Sequence, residues 1–540
     1  MEEERQDGGG QLYAAGGVST RGTLGALPRR TEVERRPRVL VATPGSWWDE
    51  SYTAAWELFV RKFLVMVALC AACDSGSSPM LRSSQSSQSL AAAKVVDVSR
   101  DELSQNETPL ALNPTNPLNL VTGANDWNYN DGCAVNATFD GGKTWTRTLP
   151  DGFLPGVTKY TNDPAVPGTG LYDAGGDPAV AFAPDGTAYF VCQAFNFTPP
   201  YQIALLVSRS RDGGRTWLDG AKEKLTQVNT WNGNGKSKGS NGQFPDHESI
   251  YVDWNPASPF YGRIYVTWVQ FSGQTHSPVQ VAYSSDGART FSTPVAITSS
   301  TIRNNQDARL TSAPDGTLFL TFDNGVQGGK GTVMYVAKSR DGGATWTQPF
   351  QFAAFRNPVC TFPPYCFNIA GGAFRSGGSY PSPAYNATDG RLYAIFPDIR
   401  GGFAQVYWTS ASADDLTRWS EPTAIAPAAG DRFQAEMSIA PNGRIDVSFY
   451  DRSYTQNQLV DLTLASSDDG GATWASQRVS SSSFDPSQWG VPSSSASGFR
   501  PFIGDYNGMV STDALTAITW TGVAKPQPLN LEIDFASIAQ

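Results

Sequence analysis

The chain has 540 residues, of which 53 are glycine, 12% are aromatic and only 17% are charged. That mixture suits many short strands joined by turns and excludes a helical bundle or a disordered polymer. A formal net charge of −10 leaves no basic footprint, so nucleic acid is excluded as a partner. With His247 and His276 as its two histidines, the chain is also a poor candidate for a multi-histidine zinc centre.

In chain order, residues 1–59 are rich in Glu, Arg and Gly and lack strand alternation. They read as an unstructured extension or a mis-assigned start, with translation expected to begin near Val60. Residues 60–73 follow Arg61-Lys62 with a short apolar run and end in Ala71-Ala72-Cys73. This pattern is that of an export signal too short to span a bilayer. Its end resembles a bacterial lipoprotein signal, which implies lipidation at Cys73. Residues 74–94, rich in Ser and Gln, read as a flexible tether.

From residue 95 to 540 a four-strand unit repeats. In unit two, Asp177–Ala183 leads through Pro184-Asp185-Gly186 to Thr187–Phe195, then Ile203–Ser208, then Asp212-Gly-Gly-Arg-Thr-Trp217. Asp-Gly-Gly is hairpin chemistry: the carboxylate bonds nearby backbone N–H groups and the glycines accept positive φ. The same turn recurs at Asp140, Asp286, Asp341 and Asp469, with a degraded copy at Asp414. From the first turn of a unit to the Asp of its second turn is 27, 26, 25 and 27 residues in units two, four, five and six. Constant spacing within units and variable spacing between them is the pattern of propeller blades.

After the sixth turn, Phe502–Val510, Ala514–Trp520 and Leu529–Phe535 form a three-strand remainder. An open edge there would invite aggregation, and Val95–Ser99 can supply the missing strand. The expected fold is all-β: a single propeller of four-stranded antiparallel blades, seven in number, closed by the N-terminal strand. Six blades with a C-terminal extension is the alternative. Cys360 and Cys366 are expected to form a local disulfide. Cys133 and Cys192 fall on neighbouring units, and pairing and free thiols both stay open.

The repeated Ser-x-Asp-x-Gly-x-Thr-Trp pattern resembles the Asp boxes (BNR repeats) of the sialidase, or neuraminidase, superfamily over roughly residues 105–540. The resemblance implies that Asp140, Asp212, Asp286, Asp341, Asp414 and Asp469 are structural and lie opposite the active face. That face then carries Asp177, Asp246, Glu248, Asp307, Glu436, Arg500, Asp505 and Tyr506 where the chain leads into first strands. Asp126, Asp323, Asp398, Arg400, Asp451 and Arg452 reach it from the loops between second and third strands. Carboxylates and arginines around a mouth suit a polar ligand such as a sugar.

By the same resemblance, an exo-α-sialidase would bind a sugar carboxylate with Arg400, Arg452 and Arg500. Tyr506 or Tyr450 would be the nucleophile, Glu436 or Glu248 its activator, and Asp246 or Asp177 the acid. Asp177, Asp307, Asp398, Asp451 and Asp505 would line the substrate site. Each carboxylate could instead simply accept backbone N–H bonds. No cofactor is required for this chemistry; converging carboxylates could hold Ca²⁺. The expected setting is a monomer in the cell envelope or secreted, meeting extracellular glycans or glycoproteins and touching the membrane only through its lipid anchor. The alternative is a non-catalytic propeller that binds glycans or proteins.

Overall fold

The computed structural model describes residues 94–100, 103–127, 132–148, 171–196, 201–217, 226–231, 243–272, 277–325, 332–358, 366–369, 372–492, 499–523 and 530–540. All of them belong to the compact unit Ala42–Gln540. The expected boundaries at residues 59 and 73, the expected lipidation at Cys73 and the expected disulfide partner Cys360 lie outside the described residues.

Among the described residues, seven antiparallel sheets of four or five strands form the blades, and two two-stranded hairpins accompany them. Blade 1 spans 105–147, blade 2 174–231, blade 3 243–296, blade 4 306–354, blade 5 382–424 and blade 6 432–478. Blade 7 combines Gly508–Ser511, Leu515–Val523 and Leu531–Ala539 with the N-terminal strand Val96–Asp97. First strands of successive blades touch one another all the way round, from blade 1 through blade 7 and back to blade 1. The ring therefore has seven blades, and the N-terminal strand closes it, with Val96 opposite Phe535 and Asp97 opposite Asp534.

The core lies between blades. Val121, Val135 and Ala137 of blade 1 pack on Phe182, Phe190 and Leu206 of blade 2. Val266 and Trp268 of blade 3 meet Leu205 and Val207 of blade 2, and equivalent seams follow round the ring. Each strand must thus bury both faces, which explains the near-continuous apolar runs such as Ile203–Val207.

The repeated turns staple these seams. In blade 2 the Ser210 hydroxyl donates to Asp212 Oδ1 (2.7 Å) and accepts from Gly214 N (2.8 Å). Thr216 donates its N–H to Asp212 Oδ1 (2.9 Å) and its hydroxyl to Oδ2 (2.6 Å). Asp140, Asp286, Asp341 and Asp469 repeat this arrangement. The Thr144 hydroxyl and N–H hold the Asp140 carboxyl down to about 2. Trp217 leaves the turn to pack on Phe190 and donates to Thr148 Oγ1 of blade 1 (3.0 Å). Unit five differs: Asp415, not Asp414, accepts from Thr417. Without glycines that tolerate positive φ, the chain turns straight into the strand Asp415–Trp419.

Cys133 and Cys192 form a disulfide that joins blades 1 and 2. Cys366 is disulfide-bonded as well. It opens a hairpin, Cys366–Ile369 paired with Gly372–Arg375, inserted between blades 4 and 5.

Candidate functional site

At the mouth of the ring, opposite the stapling turns, first strands are broken in six of the seven blades. The breaks carry Glu107 (φ 63°), Asp177 (52°), His247 (53°), Asp307 (52°), Gln434 (48°) and Gly504 (93°). In blades 2, 3, 4 and 6 each break coincides with a register shift against the second strand. A bulge of this kind re-aims side chains, and each non-glycine in left-handed backbone costs about 1–2 kcal/mol. Neighbouring blades hold the bulges in place. Asp177 N donates to Asn125 Oδ1 of blade 1 (2.7 Å), and Asn125 Nδ2 donates to Glu107 Oε2 (2.6 Å). His247 N donates to Asp177 Oδ2 of blade 2 (3.2 Å), and Asp505 N to Glu107 Oε1 (3.2 Å).

The bulges bring a set of acids together. Asp177 and Asp246 lie close enough for each carboxyl to act on the other. Burial raises Asp177 to about 6, and burial together with the Asp177 charge pushes Asp246 well above the usual range. Gln306 Nε2 donates to the other side of Asp246. Beside this pair Arg375 Nη2 contacts Asp505 Oδ2 at 2.7 Å. Burial raises Asp505 too, with Arg375 pulling against it. Asp177, Asp246, Asp505 and Arg375 are half-buried and form the reachable layer.

A buried layer lies beneath. Burial, followed by Asp177, raises both Glu107 and Glu248, and neither carboxyl oxygen of Glu248 has a partner in another residue. The His247 ring stacks on Tyr506 (4.9 Å between centroids) and meets the Tyr380 ring edge-on (5.0 Å). His247 Nε2 is 3.1 Å from Asp307 Oδ1, and burial followed by Arg309 keeps the imidazole neutral. Arg309 contacts Asp307 at 2.7 Å and reaches across to Glu436 of blade 6. Burial lifts Asp307 to about 7 despite Arg309. Tyr506 donates its hydroxyl to the Pro178 carbonyl (2.8 Å). Burial first, then the fields of Glu107, Asp177, Glu248 and Asp505, raise Tyr506 well above the ordinary phenol range.

Tyr506, Asp246, Asp177, Asp307, Asp505, Glu248 and Glu436 thus belong to one connected cluster. The three arginines expected to act together do not share a site. Arg400 is forked onto its neighbour Asp398 (2.8 and 2.6 Å), bonds the Ala354 carbonyl and lies over Tyr407. Arg452, 1% exposed, pairs with Asp431 at 2.8 Å. Arg500 packs over Phe502, close enough for its charge to act on Asp505. Asp451 pairs with Arg432 (2.9 Å), and Tyr450 donates to the Thr521 carbonyl (2.7 Å). Asp323 accepts from Gly325 N (2.6 Å), and Asp126 from Gln105 (3.2 Å).

The cations that do stand among the central acids are Arg309 and Arg375, and sequence reasoning passed over both. Arg309 could have been found, since it follows Asp307 by two positions on a strand. Arg375 belongs to an insertion outside the repeat, so nothing in the blade pattern marks it. Among the described residues no three His, Cys, Asp or Glu side chains converge in a way that could hold a metal ion.

No protein family and no curated protein matches the chain in sequence. Among solved structures, it is similar to an intramolecular trans-sialidase from Ruminococcus gnavus, with TM-score 0.43, 13% identity, and 73% of this chain and 98% of that chain covered. An α-L-arabinanase from Penicillium chrysogenum gives TM-score 0.40 and 14% identity, covering 67% and 92% of the two chains. An ulvan lyase of polysaccharide lyase family PL25 gives TM-score 0.44 and 12% identity, covering 82% and 95%. With seven antiparallel blades closed into a ring by the N-terminal strand, the chain is a seven-bladed β-propeller.

Proposed function

We propose that this propeller is exported, anchored through Cys73, and acts as a monomer on extracellular glycans as a glycoside hydrolase. One observation carries the reading: two neighbouring acids, Asp177 and Asp246, lie in the reachable layer beside an ion-paired carboxylate, Asp505 on Arg375. Glycoside hydrolysis needs a carboxyl that keeps its proton near neutral pH and a second that does not. Asp177 and Asp246, both raised by burial, suit the first part, and Asp505, held by the Arg375 charge, suits the second. Arg375, with Arg500 nearby, offers a positive group to an acidic sugar, so α-sialosides are the first substrates to try. No cofactor enters this chemistry.

A second reading, a non-catalytic glycan binder, is favoured by Tyr506. Its hydroxyl is committed to a backbone carbonyl, and its proton is held by surrounding negative charge. The test is turnover of a panel of fluorogenic glycosides, α-sialosides first, by the wild type and by Asp246→Asn. Loss of a general acid should lower kcat/KM by about 10²–10⁴-fold. If the wild type turns over none of the panel while retaining glycans on an array, the binding reading replaces the hydrolase.

A further inference from the structure

Outside the acid cluster, a shallow, open cavity of about 260 Å³ lies beside blade 6, lined by Asn368, Ile369, Arg452, Asn457 and Gln458. Its two walls have different origins. Arg452, Asn457 and Gln458 follow the second strand of blade 6, Ile445–Asp451, and so lie on the mouth side of the ring. Asn368 and Ile369 belong to the inserted hairpin, which is fixed firmly in place. Arg375 N donates to the Pro501 carbonyl (2.9 Å), and the Arg375 carbonyl accepts from Ile503 N (3.2 Å). The Asn368 carbonyl accepts from Arg452 Nη2 (3.1 Å), and Phe367 and Phe374 pack on Phe433. The strand that ends in Arg375 at the acid cluster therefore pairs with the strand that walls this cavity.

The lining has the chemistry of a sugar site. Asn368 and Gln458 are exposed and no described group holds their side-chain amides, which present both donors and acceptors to hydroxyl groups. Arg452 closes the floor of the hollow as a buried side chain. Its charge is already balanced by Asp431 at 2.8 Å, so the cavity favours a neutral ligand over an anion. Ile369 supplies one apolar wall for a ring face. The volume falls just below the roughly 300–1,000 Å³ of pockets for drug-sized ligands, which leaves room for a single ring.

We propose that this cavity is a second saccharide subsite, taking a neutral sugar ring of a glycan whose neighbouring part reaches the acid cluster. The proposal rests on the glycan reading above. It predicts that a longer glycan binds more tightly than its terminal sugar, and that the gain passes through Asn368 and Gln458.

The test uses the full chain on a glycan array, followed by calorimetric titration with the best glycan and with its terminal monosaccharide. The wild type should bind the longer glycan at least ~10-fold more tightly, the equivalent of about 1.4 kcal/mol. Asn368→Ala combined with Gln458→Ala, both exposed and harmless to folding, should erase that gain and leave monosaccharide affinity unchanged. Arg375→Ala should weaken both ligands. An unchanged length dependence in the double variant overturns the subsite while the glycan reading stands. A wild type that binds no glycan on the array overturns both.

Discussion

Tyr506 shows how residue type and residue role separate. A tyrosine at the mouth of the ring invites the part of nucleophile, but a nucleophile must shed its proton. Here the hydroxyl donates to Pro178, and the ring is buried against His247 among four acids that oppose ionisation. The physical role left to it is that of a wall fixing the His247 ring. Tyr506→Phe should then cost about 1 kcal/mol of stability, the net value of one hydrogen bond, with kcat/KM on any substrate of the wild type reduced less than tenfold. A chemical-denaturation curve and a rate measurement settle it; a thousandfold loss of rate with unchanged stability would restore the nucleophile. The acids at the mouth were legible in the sequence because they recur at the start of first strands. Their partners were not. Arg400 and Arg452 look like free ligands until the fold shows Asp398 and Asp431 claiming them. Arg375 reaches Asp505 across 130 residues, a distance that no local pattern encodes.

At the scale of the element, the stapling turn and the bulge are the two devices that repeat, and only the first announces itself. Asp212-Gly-Gly-x-Thr-Trp is visible because its chemistry is local: every donor to the carboxylate lies within four residues. The bulges at Glu107, Asp177, His247, Asp307 and Gln434 share a conformation without a common residue type, and neighbouring blades hold those at Asp177 and His247. Hence the blade register could be read from the chain, whereas the inward turn of the acids had to be seen. Two turn glycines, Gly142 in a stapling turn and Gly262 between the first two strands of blade 3, separate the backbone cost from the packing cost. Gly142 (φ 86°) faces Phe535 so closely that a Cβ would lie 2.0 Å from the ring, whereas Gly262 (φ 78°) has nothing within 4 Å. Gly262→Ala should cost only the left-handed term, about 1–2 kcal/mol. Gly142→Ala should add overpacking of about 1–3 kcal/mol. Urea midpoints at constant slope test the difference, and equal costs would mean that Phe535 moves aside freely.

For the whole molecule, stability turns on how the ring is closed. The closing strand Val96–Asp97 pairs with the last strand over two residues, and Val98 N and Ser99 extend the contact to Ile533 and Glu532. Trp145 of blade 1 packs on Phe535 from the other side of the seam (5.1 Å), with Val98 and Ile533 in the same core. The seam nevertheless sets acid against acid: Asp97 lies directly opposite Asp534, with Glu532 two residues on. Burial, then the fields of Asp97 and Glu532, pushes Asp534 up to about 8, against about 3.9 for an aspartate in an unfolded chain. Between those two values the folded ring keeps a proton that the unfolded chain has released. Stability attributable to this group is therefore complete below about pH 4, falls as pH rises, and levels off above about pH 8. Asp177 and Asp307, raised to about 6 and about 7, add slopes of the same sign over narrower windows, so the wild-type curve alone cannot isolate the seam. The difference from Asp534→Asn can. The variant should gain melting temperature over the wild type progressively from pH 5 to pH 8 and gain nothing further above that. A difference that is flat across this range would mean that Asp534 titrates as it does in the unfolded chain, and that the closing strand bears no electrostatic load.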